Sequence, residues 1–191
     1  MAASGAGAAT VTITVQDQAG LALPGSAVFL ESAEARAAAR PAVGVEIGQQ
    51  HKQFTQRVTV VPVGTAIRFP NNDTVRHHVY SFSPTKIFEL KLYAGTPSQP
   101  VLFDKPGIAV LGCNIHDTMI AWVVVVETPY YGLSDGSGGV RLDGVPPGRY
   151  RLRSWNPALA VGAPALDQPL EVTAGGAAAT VKLPVAAAAA R

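Results

Sequence analysis

The sequence has a single cysteine, Cys113. One thiol excludes any disulfide within the chain, so cysteine content says nothing about the redox compartment. Charge is sparse too. Asp, Glu, Lys and Arg make up 15% of the residues, and the formal net charge is +2. No basic block is present, and nucleic-acid binding requires a clustered basic face. No apolar run reaches membrane-spanning length; Ile120–Val126 is strand-sized. The first ten residues lack a charged stretch and a bulky apolar core, so they are not an intact signal peptide. A sustained helical period is missing as well. That excludes a bundle and leaves an all-β reading, supported by 19 Gly and 15 Pro spread between β-branched runs.

Short strands are what the sequence does contain. Val11–Val15 alternates apolar and polar, as a half-buried strand does, and Ser26–Glu31 is a second strand. Ser32–Arg40 reads as a short helix or linker ended by Pro41. Val43–Ile47 opens a new strand set. Gln49–Gln53 reads as a polar loop, with His51 in solvent. Strands follow at Phe54–Val61, Thr65–Phe69, Val75–Phe82, Phe88–Tyr93 and Pro100–Phe103. Pro70–Thr74 is a loop of turn formers. Thr128–Gly132 and Ser134–Gly139 read as loops, and Val140–Leu142, Arg149–Trp155, Gln168–Thr173 and Ala179–Val185 as late strands. Tyr150 and Trp155 read as core or surface aromatics.

The chemistry concentrates in Leu111-Gly112-Cys113-Asn114-Ile115-His116-Asp117-Thr118-Met119. A thiol, an imidazole and a thioether fall within seven residues, between two buried strands. Soft and borderline ligands of this kind suit copper, and one cysteine, two histidines and a weak axial methionine make a blue-copper site. Taken alone, the triplet is equally compatible with a buried free cysteine, a surface histidine and a core methionine. The loop also lacks one histidine. Two candidates stand side by side, His77 and His78, on a separate strand.

Val63–His77, with its Asn-rich approach to the first histidine, and the loop Cys113–Met119 together resemble the cupredoxins. The loop spacing is similar to amicyanin and the approach to plastocyanin. The resemblance implies a Greek-key sandwich with one type 1 copper ion per chain, serving as a one-electron carrier. By position it implies His77 and His116 as imidazole ligands, Cys113 as thiolate and Met119 as axial thioether. His78, next along the strand, would face away or hydrogen-bond beside the site. The chain also departs from the amicyanin loop, with Asn114, Ile115 and Asp117 where prolines are usual. His78-Val79-Tyr80-Ser81-Phe82 and the cysteine loop are similar to exported cupredoxin-like proteins, which implies a periplasmic or otherwise exported chain.

The flanks resemble something else. Val11–Val28 and Asp143–Leu152 look like parts of a carboxypeptidase-regulatory-like sandwich. The expected organisation is therefore a cupredoxin domain at residues 43–128, nested within a smaller β-sandwich built from 10–41 and 134–185. Residues 1–9 and 186–191 are expected to be flexible ends. Three functions follow from the site. The first is a carrier of single electrons between redox protein partners. The second is a copper carrier or chaperone with the same ligands. The third is a binding module that uses the flanking sandwich. No carboxylate pair, nucleophile elbow or open metal position points to an enzyme. The redox partner and the oligomeric state are not written in the sequence.

Overall fold

The computed structural model describes residues 7–185. The expected flexible tail and most of the expected flexible start lie outside the described residues. The chain is all-β apart from one short helix among the described residues. It divides into two compact units, with one break between Ala38 and Ala39 and the other between Glu127 and Thr128.

The first unit begins with β1 (Ala9–Gln16) and β2 (Ala27–Glu31). The first strand starts inside the segment expected to be flexible: Ala9 is buried and pairs with Val145. Helix α1 (Ala33–Ala38) follows, with Ser32 Oγ accepting the amide of Ala35 at 3.0 Å as an N-cap.

The second unit holds ten strands. They are β3 (Val45–Glu46), β4 (Gln49–Gln50), β5 (Gln53–Phe54), β6 (Val58–Pro62) and β7 (Thr65–Arg68). Then come β8 (His77–Ser83), β9 (Lys86–Tyr93), β10 (Val101–Phe103), β11 (Gly107–Cys113) and β12 (Ile120–Val126). The chain then returns to the first unit with β13 (Tyr131–Leu133), β14 (Gly139–Val145), β15 (Gly148–Trp155), β16 (Leu166–Val172) and β17 (Ala177–Lys182).

In the first unit, β1 lies between β14 and β17, and β2 lies between β13 and β15 in a second sheet that ends with β16. Each early strand is thus an inner strand of a sheet whose other members come about 100 residues or more later. Val11 sits opposite Leu142, and Phe29 opposite Arg153. Val11, Ile13, Val15, Leu30, Leu152 and Val181 fill the core from both sheets. Tyr150 and Trp155 are both buried, and the Tyr150 hydroxyl donates to Pro146 O at 2.8 Å.

The second unit has a three-stranded sheet, β10-β7-β3, and a five-stranded sheet, β6-β12-β11-β8-β9. Alternation sorts their residues. Ile67 on β7, Phe103 on β10, Val79 on β8, Leu111 on β11 and Val123 on β12 share one core. Burying each such side chain contributes about 1.5–3 kcal/mol.

Two sequence readings are corrected here. Gln49–Gln53 is a β-hairpin rather than a polar loop, with Gln49 paired to Phe54 and Gln50 to Gln53. Its two-residue turn, His51-Lys52, has φ of 55° and 58°. Such a turn matches strand twist, yet it normally uses Asn or Gly, so the sequence hid it. Tyr131–Leu133, which overlaps the loop expected at Thr128–Gly132, is an edge strand on β2, too short to show a period. The second unit also begins earlier than the expected residue 43 and ends one residue before the expected 128. No helix among the described residues is long and apolar enough to cross a membrane.

Candidate metal centre

Strand alternation aims the cysteine inward. Ala109, Leu111 and Cys113 of β11 face the core, and Cys113 is 4% exposed. β8 lies beside it, with Gly112 opposite Tyr80 and Cys113 opposite Val79. His77, Val79 and Ser81 form the inward row of β8 and are all fully buried. His77 therefore projects into the same end of the core as Cys113.

The loop after β11 brings the second imidazole back. The amide of Met119 donates to His116 O at 2.9 Å, closing a tight turn before β12. Cys113 Sγ then lies 3.8 Å from His77 Nδ1 and 3.8 Å from His116 Nδ1. The three donor atoms all lie within 4.8 Å of one another. The two rings are 5.0 Å apart between centroids and tilted by 59°.

These atoms fit a metal ion. With metal–sulfur bonds of about 2.3 Å and metal–nitrogen bonds of about 2.0–2.1 Å, a sulfur-to-nitrogen separation near 3.8 Å corresponds to an angle of roughly 120° at the metal. Both sulfur-to-nitrogen separations are thus compatible with one metal ion held by the thiolate and an imidazole nitrogen. Met119 is buried and packs in the same apolar cluster as Cys113. His116 is half-buried, whereas Ile115 and Asp117 beside it are exposed.

The other histidines lie apart. His78 is on the opposite face of β8, with Nε2 2.9 Å from Glu89 Oε1 in an orientation that makes no hydrogen bond. A bulge on β9 lies opposite it, since His77 pairs with Tyr93 and Val79 with Leu90. His51 is at the exposed tip of the β4–β5 hairpin.

Three residues around the centre escaped sequence reasoning. Asp73 accepts a hydrogen bond from His77 Nε2 at 2.8 Å. Burial pushes the Asp73 carboxyl up, but hydrogen bonds from the Lys52 amide, His77 and the His51 amide outweigh that and hold it below the usual range. Gln49 is fully buried, and its side-chain amide donates to Phe69 O at 3.2 Å. The Tyr93 hydroxyl donates to the same carbonyl at 2.8 Å. Burial pushes the Tyr93 phenol up to about 12, the Gln49 hydrogen bond opposes this, and the nearby Cys113 adds to it. The only available sequence signal was the Asp four residues before His77.

Gly112 makes room for one more neighbour. A Cβ there would sit 2.8 Å from Tyr80 Cζ, so the Tyr80 ring lies across the glycine next to Cys113. The Tyr80 ring in turn stacks on Phe82, with centroids 5.1 Å apart.

No family model matches this chain, and no curated relative matches it. Several solved structures resemble it over part of its length. A purple cupredoxin from Nitrosopumilus maritimus is 19% identical with a TM-score of 0.37, covering 43% of this chain and 99% of that one. Amicyanin from Paracoccus versutus is 16% identical with a TM-score of 0.38, covering 52% of this chain and 97% of that one. A copper-containing nitrite reductase from Thermus scotoductus is 25% identical with a TM-score of 0.41, covering 48% of this chain but 26% of that one. The structural neighbours of this chain are thus cupredoxins, at low TM-score and over about half its length.

Proposed function

We propose that the chain is a mononuclear type 1 copper protein, without catalytic activity of its own, that carries single electrons between redox protein partners. His77, Cys113 and His116 would hold the ion, with Met119 as the weak axial ligand. The observation that carries this reading is the convergence of one sulfur and two imidazole nitrogens within 4.8 Å at the end of a β-sandwich. Bound copper would supply the one-electron couple. The protein's part is to hold the donors still, which two strands and one tight turn accomplish. His116, the half-exposed member of the set, is where the centre comes nearest to solvent.

Burial favours this reading over a carrier that hands over its metal. Such a carrier needs accessible ligands, whereas His77 and Cys113 are sealed in the core. The resemblance to exported cupredoxin-like proteins supports an exported setting.

Titration with Cu(II) tests the assignment. One equivalent per chain should bind with an intense visible thiolate-to-copper band, and Cys113→Ala should abolish that band. A colourless copper-loaded protein, or a Cys113→Ala variant that keeps the band, overturns the type 1 reading.

A further inference from the structure

We propose that Asp73 is the positioning residue that fixes the His77 ring, and that the His51-Lys52 turn holds Asp73 in place to do so. The inference rests on the reading of His77 as a metal ligand.

Three donors converge on this carboxylate. Its Oδ1 accepts the His51 amide at 2.6 Å. Its Oδ2 accepts the Lys52 amide at 2.9 Å and faces His77 Nε2 at 2.8 Å. An ionised carboxylate is acceptor-only. The hydrogen between Asp73 and His77 therefore sits on Nε2. In the neutral ring that leaves Nδ1 bare, with its lone pair toward Cys113 Sγ. Orientation and tautomer are set by one contact, which is the task of a carboxylate behind a metal-binding histidine.

The turn and the carboxylate need each other. His51 and Lys52 both adopt positive φ, which non-glycine residues seldom do. Their successive amides form a concavity suited to an anion, and Asp73 fills it. The loop that carries Asp73 is locked in turn. Asn71 is buried, accepts the Asp73 amide on Oδ1 at 3.0 Å, and donates to Val75 O and Tyr93 O. The exposed tip of the hairpin is thereby linked to the buried ligand through a single side chain.

The arrangement also says why asparagine cannot substitute. An amide offers one oxygen and one NH2 group. In either orientation its NH2 group faces a donor: the His51 amide in one, and the Lys52 amide with His77 Nε2–H in the other. The turn and the ring cannot both be satisfied.

Two measurements test this. The first uses metal-free protein and needs no variant: side-chain 15N NMR of His77, at a pH where the ring is neutral. The Nε2–H tautomer is expected; a dominant Nδ1–H tautomer overturns the proposal. The second compares Asp73→Asn with the parent. Affinity for Cu(II) and Zn(II) should fall ten- to a hundredfold, the reduction potential should rise, and the apo tautomer should become mixed. A folded Asp73→Asn protein with parental affinity, potential and tautomer overturns it. Lys52→Gly keeps the amide and suits positive φ, so it should keep parental affinity. Lys52→Pro removes the amide and cannot adopt the positive φ of this turn, so it should lower affinity and loosen the tautomer; parental behaviour of Lys52→Pro refutes the role of the turn. If the parent binds no copper, the proposed function fails, while the apo tautomer still decides the placement by Asp73.

Discussion

Gly112→Ala tests how the strand pair beside the metal centre is held. The built Cβ lies 2.8 Å from Tyr80 Cζ and 2.9 Å from its hydroxyl oxygen. Ordinary carbon contacts fall at about 3.5–4.0 Å, so the ring must withdraw by roughly 0.7 Å or the strands must part. The ring has somewhere to go. Tyr80 is half-buried, and Phe82, on which it stacks, is 73% exposed. Overpacking typically costs 1–3 kcal/mol, and an outward tilt of the ring puts this case near the lower end, about 1 kcal/mol. For a unit of this size that is a fall of about 4–8 °C in Tm. Gly112 also belongs to the ladder step that sets Cys113 against Val79, so metal affinity should weaken in parallel. Thermal melts of the apo protein, paired with Zn(II) affinity, provide the assay. Tyr80→Ala removes the obstacle, and a double-mutant cycle should recover most of the Gly112→Ala penalty as coupling of about 1 kcal/mol. A parental Tm for Gly112→Ala, or a penalty undiminished in the Tyr80→Ala background, refutes the reasoning.

The two adjacent histidines should separate cleanly. His77→Ala should lose the thiolate-to-copper band, and His78→Ala should keep it with a shifted potential; the reverse result, read by visible absorption and voltammetry, would show that the inward row of β8 is misassigned. Met119→Leu conserves volume in a fully buried position, so it should cost less than about 1.5 kcal/mol in a chemical denaturation curve. The same variant should still bind copper but at a raised potential, because the axial ligand tunes it; an unchanged potential argues against the axial role. Removal of residues 1–40 takes away β1 and β2, an inner strand from each sheet of the first unit. The remaining strands of that unit should unfold by hydrogen exchange while the second unit keeps its metal affinity, and protected amides in β15 of the truncated protein would refute this.

The elements that were legible in the sequence are those whose burial follows a period. Val11–Val15 falls within β1 and Ile120–Val126 matches β12, because alternating and continuous apolar runs both mark strands that bury against a core. Where polarity and burial part company, the sequence misleads. Gln49 is polar and fully buried, since its backbone and side chain find the carbonyls of Pro70 and Phe69. No composition rule announces that. Tyr131–Leu133 fails for a simpler reason, because three residues carry no period.

The same division runs through the metal centre. Cys113 and His116, which the structure brings together with His77, are legible because one loop carries both, so their spacing is itself the signal. The choice between His77 and His78 needed a strand register, which alternation supplies only once the inward face is known. Asp73 shows where such reasoning stops. It reads as one of several turn formers, and it is one. Its part at the centre appears only when the His51-Lys52 turn, twenty-odd residues earlier, delivers two amides to the carboxylate whose Oδ2 faces His77. A ligand's chemistry can be read from residue type, whereas the group that aims it is defined by which segments the fold brings together. Sequence pattern therefore finds metal ligands more readily than the carboxylates behind them, and the second set must be sought in the hydrogen bonds of the folded chain.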